Sequence, residues 1–294
     1  MTESRRNGVA WFLITLIALS VTFLTPALVG PQASLSDIAT ITADWATYQG
    51  DPPGWWAVQN PWGAGSLING KNYSQAIYVY ASTFPNGSVI SWRWPGYGNP
   101  SNAWGYPEIV YGTQAGTWRS PDRKGPPPIK IRNLAALTGS YDLSIAGDTD
   151  QYDVLWETHL TSAPNGGASI EFGILLHTPS YVMSWAEGLP RRYPYNTAGL
   201  AATILITDNG SEPYILVLPV QGDMLTATVD IRSILNFLIS RRALTGDEYI
   251  SGFEIGAEPR QGEGTLTINS IQYNWNGNVA GRGVTRVQRR PQER

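Results

Sequence analysis

Short segments with alternating apolar and polar positions, or with β-branched and aromatic runs, fill the chain between about residue 47 and residue 276. Such alternation is the pattern of a strand with one buried face. Turn sequences rich in Gly, Pro and Asn separate the segments, as at Pro85-Asn86-Gly87. The pattern predicts strands at Gln75–Ser82, Ser88–Trp94, Ile109–Tyr111, Gly139–Ile145, Tyr152–Thr161, Ala168–His177, Ala202–Thr207, Tyr214–Pro219, Leu225–Val229, Tyr249–Ala257 and Thr265–Tyr273.

The segment Asp230–Arg241 departs from this alternation and has the spacing of an amphipathic helix. Asp230 stands where an N-cap residue belongs, and the apolar stripe consists of Ile231, Ile234, Leu235 and Leu238. Many short strands with frequent turns favour two packed sheets. We therefore predict an all-β fold, a two-sheet antiparallel β-jelly-roll sandwich (concanavalin-like) with one packed helix.

The first 32 residues differ from the rest of the chain. Arg5 and Arg6 precede an apolar run from about Val9 to Phe23, which is the order of an export signal. The run is short for a membrane-spanning helix of about 20 residues, but it is long enough when extended to Val29. Residues 1–32 are thus a cleaved signal peptide or an N-terminal membrane anchor. Either way, we expect an extracellular protein, secreted or tethered to the outer face of the membrane.

We expect residues 33–46 to be a linker and 47–276 to be the jelly-roll domain. Residues 277–294, with five arginines and little apolar content, are expected to be a disordered tail.

Composition and charge narrow the classes of function. A formal charge of -3 gives no reason to expect a nucleic-acid partner. The chain has no cysteine and only two histidines, which leaves little material for a metal site or a Ser-His-Asp triad. We expect no metal, no cofactor and a monomer.

Three glutamates that lie inside a predicted strand or directly after one are candidates, because a charged side chain there needs a cleft or a partner. Alternation puts Glu171 on the same strand face as Gly173, and Glu258 on the same face as Gly256. We interpret these glycines as room for a substrate groove. The third glutamate is Glu157. Glycoside hydrolysis requires two carboxyl groups facing one sugar bond, so paired glutamates are candidates for that chemistry. The alternative is that they are only solvated on an exposed sheet face.

Several motifs occur in the order found in glycoside hydrolase family 12, the compact jelly-roll endoglucanases, and the chain resembles that family over nearly its whole body. The predicted helix resembles the family's single helix. The resemblance also rests on an Asn-x-Trp-Gly segment, a Trp-rich strand with a Gly-Tyr-Pro motif, and three carboxylate-bearing strands. In that order, the segments are Asn60–Gly65, Ser91–Trp94 with Gly105–Gly112, Asp153–Glu157, Glu171–Leu175 and Gly252–Pro259.

The resemblance implies a retaining, endo-acting enzyme that cleaves β-1,4-linked glucan (cellulose, mixed-linkage glucan or xyloglucan) by double displacement. In this reading Glu171 is the nucleophile, Glu258 the general acid/base and Glu157 the carboxylate that orients the nucleophile. The expected sugar-binding residues are Trp62, Asn60, Trp92, Trp94 and His159. Core packing remains the alternative for Trp62, Trp92 and Trp94, a plain turn for Asn60, and the filling of an aromatic residue's place for His159.

The chain departs from the family pattern after the proposed nucleophile. Gly173 and Leu175 stand where the family has Met and Trp, so a stacking platform is missing. This departure supports a second hypothesis, a carbohydrate-binding β-sandwich that has lost catalysis. Residues 178–197 do not match the family's cleft-rim loop, and we interpret them as an active-site lid or a surface excursion.

Overall fold

The computed structural model describes residues 37–96, 103–114, 118–164, 166–197, 199–208 and 213–281. The expected signal or anchor segment and the arginine-rich part of the expected tail lie outside these ranges. Within them, no helix has both the length and the apolar character that crossing a membrane requires.

The described chain is mostly strand. In order it forms β1 Ile38–Ile41, β2 Thr47–Gln49, β3 Trp55–Val58, β4 Ser74–Tyr80, β5 Ser88–Trp94, β6 Glu108–Gln114, β7 Trp118–Arg119, β8 Ile129–Lys130, β9 Leu137–Gly147, β10 Tyr152–Thr161, β11 Ala168–His177, α1 Ser180–Glu187, β12 Arg191–Thr197, β13 Leu200–Asp208, β14 Pro213–Pro219, β15 Thr226–Asp230, α2 Ile231–Ser240, β16 Tyr249–Ile250, β17 Gly252–Pro259, β18 Gly262–Trp275 and β19 Asn278–Ala280.

The strands pair into two sheets. The smaller sheet has the order β1-β4-β5-β18-β9-β15, with β19 on β18, and the larger has the order β12-β13-β14-β11-β10-β17-β6-β3-β2, with three short strands at its margins. The predicted two-sheet jelly-roll sandwich is confirmed. One described pair, β11 with β14, is parallel rather than antiparallel, because the chain passes through α1, β12 and β13 before it returns beside β11.

The core between the sheets is aromatic. Trp156 on β10 and Phe253 on β17 pack from the larger sheet against Tyr273 on β18 of the smaller one. The indole Nε1 of Trp156 donates a buried hydrogen bond of 2.8 Å to the Tyr273 hydroxyl oxygen. Large aromatic side chains bury the most apolar area per residue, and a buried Tyr or Trp needs a partner for its polar atom. This contact provides both and joins the two sheets.

Trp92 and Trp94 belong to this core, so our expectation that they bind sugar was wrong. They are 3% and 2% exposed, and Trp94 stacks on Tyr73 with ring centroids 3.6 Å apart. Alternation showed that the two indoles share one face of β5, but it could not tell which face of that strand is covered by the other sheet.

The predicted helix is present as α2. Its N-cap residue Asp230 accepts a hydrogen bond of 3.0 Å from the backbone N–H of Ser233, and its apolar stripe is buried. The prediction of one helix was incomplete, because α1 forms inside the segment that we interpreted as a lid or excursion. Strand β1 lies within the expected linker and pairs with β4, and β19 lies within the expected tail and pairs with β18.

We predict that Asp230→Ala lowers the free energy of unfolding by about 1 kcal/mol, because the cap hydrogen bond to the first turn of α2 is lost. Asp230→Asn, which keeps a capping oxygen, is the matched control and should stay close to the parent. Urea unfolding followed by fluorescence measures both. Equal losses in the two variants would show that the cap does not stabilise α2.

Candidate active site

Alternation along β10 divides its side chains between two environments. Val154, Trp156 and Leu160 are buried in the core between the sheets. Leu155 instead joins a second apolar cluster, on the face of the larger sheet that points away from the smaller one; we call this the outer face. Residues at odd positions of β10 therefore lie on the outer face, because successive side chains of a strand alternate between its two faces.

Strand pairing places the acidic residues of the outer face around β10. Glu171 on β11 stands opposite His159, and Glu258 on β17 stands opposite Asp153. Glu157 has Gly173 opposite it on one side and Glu254 on the other. Because residues paired across strands point to the same face, these side chains lie on one surface, with Glu171 and Glu258 offset along the strands and β10 between them.

A cavity of about 660 Å³ opens on this surface, and both Glu171 and Glu258 line it. Trp62, expected to bind sugar, also lines it and is 49% exposed. The same cavity is lined by residues that the sequence reasoning did not assign to the site, among them Asp153, Tyr181, Trp185, Tyr214 and Arg260. The fold thus brings into one cavity two glutamates that are distant along the chain.

Glu157 lies beside Glu171 and hydrogen-bonds to it. Its carboxyl group is buried, and burial, followed by the charge of Glu171 and a hydrogen bond with it, raises the pKa of Glu157. A protonated Glu157 can donate that hydrogen bond to a carboxyl oxygen of Glu171. Glu157, His159 and Glu171 each have one ligand atom within 4.8 Å of the others, and a divalent cation would find two carboxylates and an imidazole there.

Glu258 and Asp153 form a second acidic pair. Burial raises the pKa of Glu258, and the negative charges of Asp153 and Glu171 raise it further. Burial also raises the pKa of Asp153, to about 8, although the backbone N–H of Glu258 hydrogen-bonds to it and opposes the shift. Neighbouring carboxylates in a site of low dielectric cannot all ionise near neutral pH. The raised pKa of Glu258 favours its protonated form, in which the carboxyl group can donate a proton.

A third acidic pair was not predicted. Glu108 on β6 and Glu254 on β17 are almost fully buried and hydrogen-bond to each other. The amide of Asn60 donates to Glu108 Oε1 at 3.1 Å, and His159 Nδ1 lies 3.6 Å from Glu254 Oε1. Asn60, expected in the cleft, is thus buried with its amide group on a protein carboxyl. His159 lies among carboxyl groups, near Glu254 and Glu171.

The glycines beside the two candidate catalytic residues do not leave space for substrate, which corrects our interpretation. A Cβ atom on Gly173 would lie 3.2 Å from Leu216 Cδ1 and 3.4 Å from the hydroxyl oxygen of Tyr214. A Cβ atom on Gly256 would lie 2.8 Å from Cε2 of Tyr106. Each glycine instead makes room for a side chain of the protein itself, and a tyrosine approaches each of them.

Comparison with solved structures identifies the fold. The catalytic domain of Humicola grisea Cel12A, solved with a thio cellotetraose, superimposes with a TM-score of 0.65 at 19% identity, over 81% of this chain and 99% of that one. The family 12 xyloglucanase of Bacillus licheniformis superimposes with a TM-score of 0.65 at 18% identity, over 82% of this chain and 100% of that one. Trichoderma harzianum endoglucanase 3 from family GH12 superimposes with a TM-score of 0.62 at 17% identity, over 82% of this chain and 99% of that one. The chain has the fold of the family 12 glycoside hydrolases. No protein-family model and no curated protein matches it in sequence.

Within this family 12 fold, some of the additional carboxyl groups around Glu171 and Glu258 could have been found from the sequence. Alternation alone puts Glu254 on the same face as Glu258, and Asp153 on the same face as Glu157. No periodic signal indicated Trp185, because α1 lies in a segment without a matching motif. The position of Tyr214 depends on the parallel pairing of β14 with β11, which cannot be inferred from either strand separately.

We predict that Asp153→Asn becomes more stable relative to the parent as pH rises. In the unfolded chain this carboxyl ionises near its usual pKa, whereas in the folded protein it stays protonated up to about pH 8. The parent therefore loses stability over that range, and the asparagine does not titrate. Between about pH 5 and pH 7 the gain is about 3 kcal/mol, since each of the two pH units corresponds to about 1.4 kcal/mol.

Urea unfolding at several pH values measures this difference. Glu187→Gln, at an exposed position of α1, is the control and should show no change with pH relative to the parent. A difference between Asp153→Asn and the parent that is independent of pH would contradict the raised pKa of Asp153.

Proposed function

We propose that the protein is a retaining glycoside hydrolase that cleaves β-1,4-linked glucan within the chain. The observation that carries the proposal is the presence of Glu171 and Glu258 in one cavity, together with the raised pKa of Glu258. Solved proteins with the same fold include endoglucanases and a xyloglucanase by their descriptions. Their sequence identity to this chain is low, so the chemistry of the cavity carries the argument.

The proposed reaction has two steps. Glu171 attacks the anomeric carbon while Glu258 donates its proton to the leaving glycosidic oxygen, which gives a glycosyl ester on Glu171. Glu258, now ionised, then takes a proton from water as that water attacks the anomeric carbon and releases Glu171. Glu157 hydrogen-bonds to Glu171 and holds its carboxyl group in position. Trp62 offers an exposed indole face to a sugar ring at the cavity wall.

The proposal includes export, because the substrate is a polymer outside the cell. The basic, then apolar, N-terminal segment supports it. Cleavage of that segment would release the enzyme, and retention would anchor it to the membrane. Fractionation of the producing cells, with the activity assayed in the medium, on the membrane and in the cytosol, distinguishes these outcomes, and activity confined to the cytosol would contradict export.

We predict that Glu171→Gln lowers kcat on soluble β-glucan by about 10³-fold or more, because an amide is too weak a nucleophile to form the glycosyl ester. Glu263→Gln is the matched control. Glu263 is an exposed glutamate on β18, paired with Arg93 at 2.5 Å, and its replacement should leave kcat unchanged. Release of reducing ends reports the rate. Parental activity in Glu171→Gln would disprove the assignment, and binding without turnover by the parent would support the carbohydrate-binding alternative.

We predict that activity on β-glucan falls as pH rises through the raised pKa of Glu258, since deprotonated Glu258 cannot protonate the leaving oxygen. Glu258→Gln should lose activity on glucan. On an aryl β-cellobioside with an activated leaving group, the variant should still form the glycosyl ester on Glu171, and the rate of this step should not fall as pH rises. Added azide should then yield the β-glycosyl azide, identified by NMR. An α-configured product from the parent on glucan would instead indicate inversion and a base role for Glu171.

A further inference from the structure

Leu175, which stands where the family resemblance implies a tryptophan, packs beneath helix α1. Leu175 is 1% exposed and packs with Val182 and Ala186 of α1 and with Leu216 of β14. The outer face of the sheet is thus covered by the helix at this place. Leu175 lines the cavity but is only 1% exposed, so it offers a sugar ring almost no surface.

The same helix presents a different indole to the cavity. Val182 and Ala186, four residues apart, fix one side of α1 to the sheet, and Tyr181 and Trp185, with the same spacing, line the cavity. Trp185 remains 42% exposed. Its ring lies over that of Tyr214 with centroids 6.5 Å apart and an interplanar angle of 29°. Because Tyr214 stands opposite Glu171, the indole lies near the proposed nucleophile.

Contacts at both ends of α1 hold this indole in place. The backbone N–H and the hydroxyl of Ser180 donate to the Asp150 carboxylate, at 2.8 and 3.0 Å. The Arg192 guanidinium donates to the carbonyl of Ala186. The Arg260 guanidinium lies 4.5 Å from the centre of the Tyr181 ring. Binding of a sugar therefore costs little conformational entropy in the helix. An aromatic side chain that is already held in position contributes most to affinity.

We infer that Trp185 is a sugar-binding platform that determines which gluco-oligosaccharides the cavity holds beside Glu171. The inference rests on the proposed function and extends it to one residue. A pyranose ring offers an apolar C–H face that packs on an aromatic face, and an exposed indole supplies the largest such surface. Trp62 and Trp185 enter the cavity from different segments, the connection after β3 and helix α1. The chain thus places an indole on α1 in addition to the indole of Trp62.

Binding in an inactive background tests this role separately from turnover. Cellotetraose is titrated calorimetrically into Glu171→Gln and into the same protein carrying Trp185→Ala, Trp185→Phe or Tyr78→Ala. Tyr78 is a matched control, because it is 38% exposed on β4 of the smaller sheet. We expect Trp185→Ala to raise Kd about tenfold, Trp185→Phe to raise it by about threefold or less, and Tyr78→Ala to leave it unchanged. In the active enzyme, Trp185→Ala should raise KM more than it lowers kcat.

The outcomes separate the two proposals. Equal Kd values for Glu171→Gln with and without Trp185→Ala would overturn the platform while leaving the hydrolase intact. Failure of folded Glu171→Gln to bind cellotetraose, together with no turnover by the parent, would overturn both. A fall in kcat at unchanged KM would also overturn the platform, because it would mean that the indole supports the catalytic groups rather than the sugar.

Discussion

Carboxyl groups that lie side by side out of water impose the main constraint on the larger sheet. Three acidic pairs surround β10: Glu157 with Glu171, Asp153 with Glu258, and Glu108 with Glu254. Each can persist only if protons are shared or hydrogen bonds satisfy the remaining charge. Because of this constraint, one or both carboxyl groups of each pair have a raised pKa. They also supply what a glycosidase needs, a carboxylic acid that is still protonated near neutral pH.

The support for these carboxyl groups comes from packing on both sides of the sheet. Towards the core, Trp156 and Phe253 fix β10 and β17 against the smaller sheet, so the strands that carry the acids have little freedom to move. On the outer face, Tyr106 fills the space beside Gly256 and donates a hydrogen bond of 3.0 Å to the carbonyl of Leu155. Rigid strands keep candidate catalytic groups at a fixed geometry, which loops do less well.

Helix α1 forms part of the wall of the cavity that contains Glu171 and Glu258. It packs against the leucines of the outer face, Leu155, Leu175 and Leu216 among them, and adds Trp185 and Tyr181 to the lining of the cavity. Position 175 and helix α1 are therefore coupled by packing. Leu175 packs against the helix, and the helix presents an indole to the same cavity.

The sequence by itself determined the properties that depend on local periodicity. It predicted the strand pattern, helix α2 with its cap at Asp230, and the glycine that shares a strand face with each of Glu171 and Glu258, because alternation and helical spacing are fixed by backbone geometry. Only the tertiary structure decided which face of β5 is inside, what fills the space beside Gly173, and that α1 carries Trp185 to the cavity. Those outcomes depend on contacts between strands and helices that are distant along the chain, and no local pattern encodes which of them will meet.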